Sequence, residues 1–130
     1  MSALHTKRTS IAHVSVCIGC CCGQVEKEHP EVPVAWLKAQ WKARRLLKRV
    51  QLSISGCLGP CDLTNVASIG HADGAVWLGR LETLGHYEAL VDWAQDVTAR
   101  QRLLPLPPAL NARAFERFEQ TPGVTTLEER

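Results

Sequence analysis

No stretch of this chain approaches the length of a membrane span. It also has no glycine-rich phosphate loop, dinucleotide fingerprint or nucleophile elbow, so the commonest signatures of an enzyme are missing. Lys7 and Arg8 are not followed by an apolar run of signal-peptide type, which makes a cytoplasmic location the expectation. The formal net charge is only +2, too small to argue for a nucleic-acid partner. Internal repeats and low-complexity blocks are lacking too. These absences leave one globular domain: 130 residues, 45% hydrophobic and 22% charged, are enough to bury a core.

Cysteine is absent from most of the chain and gathered in two places. All six lie in Val16-Cys17-Ile18-Gly19-Cys20-Cys21-Cys22-Gly23 or in Gly56-Cys57-Leu58-Gly59-Pro60-Cys61. In a secreted mini-protein six thiols would read as a disulfide framework, but in a reducing compartment they bind metal or do redox work. The adjacent Cys20, Cys21 and Cys22 make poor disulfide partners for one another. Thiolates on short loops flanked by Gly19, Gly23, Gly56 and Gly59 point to a metal or iron–sulfur site, since glycine lets amide N–H groups approach sulfur. Ile18, Leu58 and Pro60 would limit access of water.

A [2Fe–2S] cluster takes four thiolates, two per iron, and side chains of adjacent residues diverge. Two separated pairs are therefore the natural supply. Cys57 and Cys61 form the second pair, while Cys17 must be matched with Cys20, Cys21 or Cys22. C-x2-C at Cys17 and Cys20 with C-x3-C at Cys57 and Cys61 also lies within structural zinc spacing, so zinc and iron–sulfur both stay open on spacing alone. His13 precedes the first loop but reads as an ordinary strand residue, and Asp62 beside Cys61 as a turn residue.

Alternation places short strands at His13–Val16, Val50–Ser55 and 66–70, with Asp73-Gly74 turning a hairpin into a returning strand over 75–79. A helix is expected from Val34 to about Arg49. Its core stripe at 100° per residue would be Ala35, Trp36, Ala39, Ala43, Leu46, Leu47 and Val50. Leu37 and Trp41 fall among Lys38, Lys42, Arg44, Arg45, Lys48 and Arg49, as snorkelling cover or as a partner or dimer contact. A second helix capped by Thr83 would bury Tyr87, Leu90, Val91, Ala94 and Val97. The expected organisation is a flexible arm at 1–12, a domain at 13–102, and at 103–130 a Pro-rich brace, a short helix at 109–120 and a disordered tail. The sum is an α/β fold of thioredoxin-like arrangement: a small mixed sheet of about four strands covered by two main helices.

The pattern C-x4-C, 34 residues, C-x3-C, with Ser55-Gly56-Cys57-Leu58-Gly59-Pro60-Cys61-Asp62 and the downstream Gly74-Ala75-Val76-Trp77-Leu78-Gly79, resembles the thioredoxin-like [2Fe–2S] ferredoxins. That family includes the 24-kDa-type subunit of NADH:quinone oxidoreductases, and the resemblance covers about residues 13–99. It implies a cluster held by Cys17, Cys22, Cys57 and Cys61, one-electron transport rather than catalysis, and a homodimer. Cys20 and Cys21 depart from the family pattern and stand as alternative ligands or transfer thiols. A redox partner would dock near the cluster edge or on the basic helix. The competing expectations are a metal- or cluster-delivery protein, with an association to cobalamin synthesis, and a zinc-stabilised interaction module.

Overall fold

The computed structural model describes residues 4–19 and 21–122. In chain order its elements are β1 (Ala12–Cys17), α1 (Val34–Ala43), β2 (Val50–Ser55), β3 (Ala67–His71), β4 (Gly74–Leu78), α2 (Leu84–Arg100), α3 (Pro108–Asn111) and β5 (Ala114–Phe115). The sheet order is β2-β1-β3-β4-β5, with β1 parallel to β2 and the other neighbours antiparallel. The result is a mixed α/β arrangement, with five strands where the sequence suggested about four.

The strands alternate as a sheet with one buried face must. Ala12, Val14, Val16, Ala67 and Ile69 point into a core closed by α1 and α2, whereas His13 faces outward and lies 2.7 Å from the Ser53 hydroxyl. In α2, Tyr87, Leu90, Val91, Ala94 and Val97 are all buried, and Trp93 joins them. The residue at the helix start is Thr83. Two N–H groups there, of Glu82 (3.0 Å) and Thr83 (3.2 Å), are accepted by Nδ1 of His86 in the first turn. Partial burial, with the nearby Arg113 cation adding, lowers the pKa of His86, in keeping with a neutral ring that accepts at Nδ1.

α1 departs from its expected face. The buried residues are Leu37 and Trp41, at 0% and 1% exposure, and the Trp41 indole N–H donates to the Val50 carbonyl at 2.9 Å. Ala35, Ala39, Ala43 and Leu47 are instead exposed. The physical reason is local. The helix ends at Ala43, Arg45 turns left-handed (φ 55°), and Leu46–Lys48 form a separate 3-10 turn. Leu46 and Val50, which do reach the core, therefore arrive on a new backbone path and cannot set the phase of α1. Because Leu37 and Trp41 are internal, they are no dimer contact.

The chain beyond α2 also differs from expectation. The single turn of α3 buries Leu110, and the expected helix over 109–120 gives way to β5, which pairs Phe115 with Trp77 and Ala114 with Leu78. Leu104 and Leu106 pack on the core, and the Trp93 indole N–H donates to the Leu104 carbonyl at 3.0 Å. Thus 103–115 is continuous with the main core. The tail at 123–130 and the first three residues of the arm lie outside the described residues.

Candidate metal centre

Cys17 ends β1 and is paired in register with Ser55, the end of β2, so the parallel crossover brings both cysteine loops to one edge of the sheet. The side chain of Cys17 follows the parity of Ser15 rather than Val16. It therefore lies on the sheet face away from the helices, in a small apolar cluster with Cys22 and Val66, against which Leu58, Leu63, Trp77 and Phe115 pack.

The first loop makes a buried pair. Cys17 and Cys22 are each 2% exposed and lie together in that cluster. The Gly19 N–H donates to the Cys17 sulfur at 3.4 Å and the Val66 N–H to the Cys22 sulfur at 3.3 Å. Burial pushes the Cys22 thiol up to about 12; the neighbouring Cys17 thiol adds to this, and the Val66 N–H opposes it. Tyr87, buried in the helical core behind the pair, has its phenol pushed well above its ordinary range by burial, with Cys22 and Cys17 adding in the same direction.

A second pair comes from the other loop. The sulfurs of Cys57 and Cys61 lie 3.4 Å apart, too far for an S–S bond of about 2.05 Å. Cys57 is exposed and Cys61 half-buried at the start of a 3-10 turn, where its N–H donates to the Gly59 carbonyl at 2.8 Å. Asp62 is exposed in that turn.

Gly19 joins the two pairs. A Cβ built on it would fall 2.5 Å from the Cα of Cys57, so only glycine lets the first loop rest on the second. Gly56, by contrast, has nothing within 4 Å of such a Cβ, and its lack of side chain is not used for close approach. Ile18 is 43% exposed, so it shields the site less than the sequence suggested, while Leu58 and Pro60 are half-buried.

Cys21 is half-buried beside the pair. Its carbonyl accepts the Gln24 N–H at 3.2 Å and lies 2.6 Å from Nδ1 of His29. Cys20 lies outside the described residues. His13 is on the open sheet face with Ser53 and takes no part.

Two contributors carry no sequence signature. Asn65 is fully buried: its Oδ1 accepts the Gly23 N–H at 2.8 Å, and its Nδ2 donates to the carbonyls of Pro30 (2.9 Å) and Leu81 (3.2 Å). It ties the end of the first cysteine loop to the segment that enters α2, so that buried polar groups are satisfied. The other contributor is the chain after β5, taken up below.

The cations of the turn after α1 are remote from the sulfurs. Arg45, Lys48 and Arg49 precede the start of β2 and the cysteines follow its end, which separates them by about 17 Å along the strand. Arg44 is occupied by Asp92 (2.9 Å) and Gln95 (2.6 Å) of α2.

Among the described residues no three His, Cys, Asp or Glu side chains converge on a single-ion site; the sulfurs come two and two. Four thiols in two pairs, the buried pair with N–H donors at sulfur, fit the ligand demands of a [2Fe–2S] group, which takes two per iron. No helix among the described residues is long and apolar enough to cross a membrane. No protein-family model matches the chain, and no curated protein matches it by sequence. Among solved structures the chain is similar in outline to a thioredoxin-like [2Fe-2S] ferredoxin from Aquifex aeolicus, at 16% identity and a TM-score of 0.46. That alignment covers 84% of this chain and 100% of the other.

Proposed function

We propose that this chain is a [2Fe–2S] ferredoxin that carries single electrons between protein partners and is not itself an enzyme. The observation that carries the proposal is the division of the sulfurs into two pairs, Cys17 with Cys22 and Cys57 with Cys61, meeting across Gly19. Cys17 and Cys22 would hold one iron, and Cys57 and Cys61 the other. Such a group takes up and releases one electron with no atom transfer. The protein's own part is to exclude water at the first pair, direct the Gly19 and Val66 amides at sulfur, and leave the Cys57 edge open to a partner. That exposed edge is the docking surface, because the basic turn before β2 stands at the opposite end of the strand.

The test is anaerobic purification followed by visible absorption, iron and acid-labile sulfide. The expected result is a coloured protein with two irons and two sulfides per chain. Single serine substitutions at Cys17, Cys22, Cys57 and Cys61 are expected to abolish the native signal, and those at Cys20 and Cys21 to spare it. A colourless protein with stoichiometric zinc and no labile sulfide sinks the proposal.

A second reading, delivery of a metal or cluster, is favoured by the half-exposed Cys21 directly beside buried Cys22. It requires that Cys21→Ser leave the bound group intact while slowing its passage to an apo-acceptor protein.

A further inference from the structure

The segment after β5 lies on the second cysteine loop. Gly59, midway between Cys57 and Cys61, has a left-handed φ of 117°, and a Cβ built there would meet Nη2 of Arg117 at 2.6 Å. The missing side chain of Gly59 is the space the guanidinium fills. The same guanidinium stacks 5.2 Å from the ring centre of Trp77 and 5.3 Å from that of Phe118, and Phe118 meets Trp77 edge-on at 6.1 Å. Trp77 in turn packs against the cluster formed by Cys17, Cys22 and Val66.

Arg117 is thus held between the exposed pair's loop and the aromatic wall of the buried pair. It makes no ion pair among the described residues, and its Nε is buried without a hydrogen-bond partner. Arg117 as a whole is half-buried, and the cost falls on its Nε, since a buried N–H left without a partner is unfavourable. The loop it covers carries the thiols of Cys57 and Cys61, which turn anionic on ligation.

We infer that Arg117 is a positioning residue of the sulfur site: it clamps the Gly59 turn and supplies the positive charge that balances the thiolates of Cys57 and Cys61. This rests on the ferredoxin reading given above for its charge-balancing half only. A one-electron reduction adds one negative charge and no proton, so a fixed cation beside the site favours the reduced form and raises the midpoint potential.

The experiment compares the full chain with Arg117→Gln and Arg117→Lys, after circular dichroism has shown that both variants fold. Redox titration of the iron-loaded proteins with dithionite is expected to show a lower potential for Arg117→Gln, restored most of the way by Arg117→Lys. Equal potentials in all three, or a Lys variant no better than Gln, overturn the charge role. Hydrogen exchange on the metal-free chains reads the clamp alone. The Cys61 amide, which donates to the Gly59 carbonyl, is expected to exchange about tenfold faster in Arg117→Gln, the factor a partly desolvated cation–π contact supports. Unchanged exchange overturns the positioning role. If the parent chain takes up no cluster, the ferredoxin reading and the charge role with it are lost, and the exchange measurement still decides the clamp.

Discussion

Cys17 and Cys22 are 2% exposed and packed with Val66, whereas Cys57 lies at the surface and Cys61 half out of it. The first pair is continuous with the fold: a strand end, a buried cluster and the Asn65 network hold it whether or not anything is bound. The second pair sits on a surface loop that Gly19 touches from one side and Arg117 from the other, with Leu58 packed beneath it on the buried cluster. The two halves of the site therefore divide the work between shielding and access. One is closed to water and reagents, and the other is open to them.

The widest difference expected between the pairs is in reactivity. With its thiol pushed up to about 12, Cys22 in the metal-free chain at pH 9 holds roughly a thousandth of its molecules as thiolate. Mass spectrometry of iodoacetamide-treated protein is expected to find Cys57 modified long before Cys22; equal rates would erase the distinction. The same displacement fixes a sign for stability. The folded Cys22 keeps its proton above pH 9, where the unfolded chain has lost it, so its contribution is full below that pH and declines as pH rises towards 12. Urea titrations of the metal-free chain at successive alkaline pH values measure that decline, and Cys22→Ala should flatten it.

Next in size is the junction. Gly19→Ala forces a methyl group onto the Cys57 backbone, at an expected cost of about 1–3 kcal/mol, and parts the pairs so that bound iron falls with it. A variant that keeps both stability and iron would show that the loops do not depend on this contact.

The smallest effect separates the pairs by stability alone. In the metal-free chain Cys22→Ser should cost about 1–2 kcal/mol, because it puts a hydroxyl into an apolar cluster, while Cys57→Ser at the surface should stay within about 0.5 kcal/mol. Thermal melts of the two variants side by side check this, and matching losses would mean that the exposed loop is as integral as the buried one.

Much of this frame was legible in the residues themselves. Val50–Ser55 alternates without interruption and is a strand over those same residues, and the α2 stripe from Tyr87 to Val97 is buried as its period requires. The cysteine spacing marked Cys57 and Cys61 as one pair but left the partner of Cys17 open among Cys20, Cys21 and Cys22, because a loop without periodicity does not show which of three adjacent side chains turns inward. What was not legible depends on single backbone events or on distant partners. The left-handed turn at Arg45 reset the phase after α1, so a stripe drawn through Leu46 and Val50 pointed Trp41 at solvent. β5 is two residues long and too short to alternate. Asn65 and Arg117 act through groups far from them in the chain, and no local pattern marks either.

The contact at Gly19 also sets an order of events. Residues 19 and 57 meet only when β2 has docked beside β1, with α1 folded across between them. Until that crossover closes, the chain offers at most two sulfurs in place, and the second two arrive with the docking of β2. A group needing all four is thereby held by a finished domain and not by a fragment of one, so ligation reports that folding is complete.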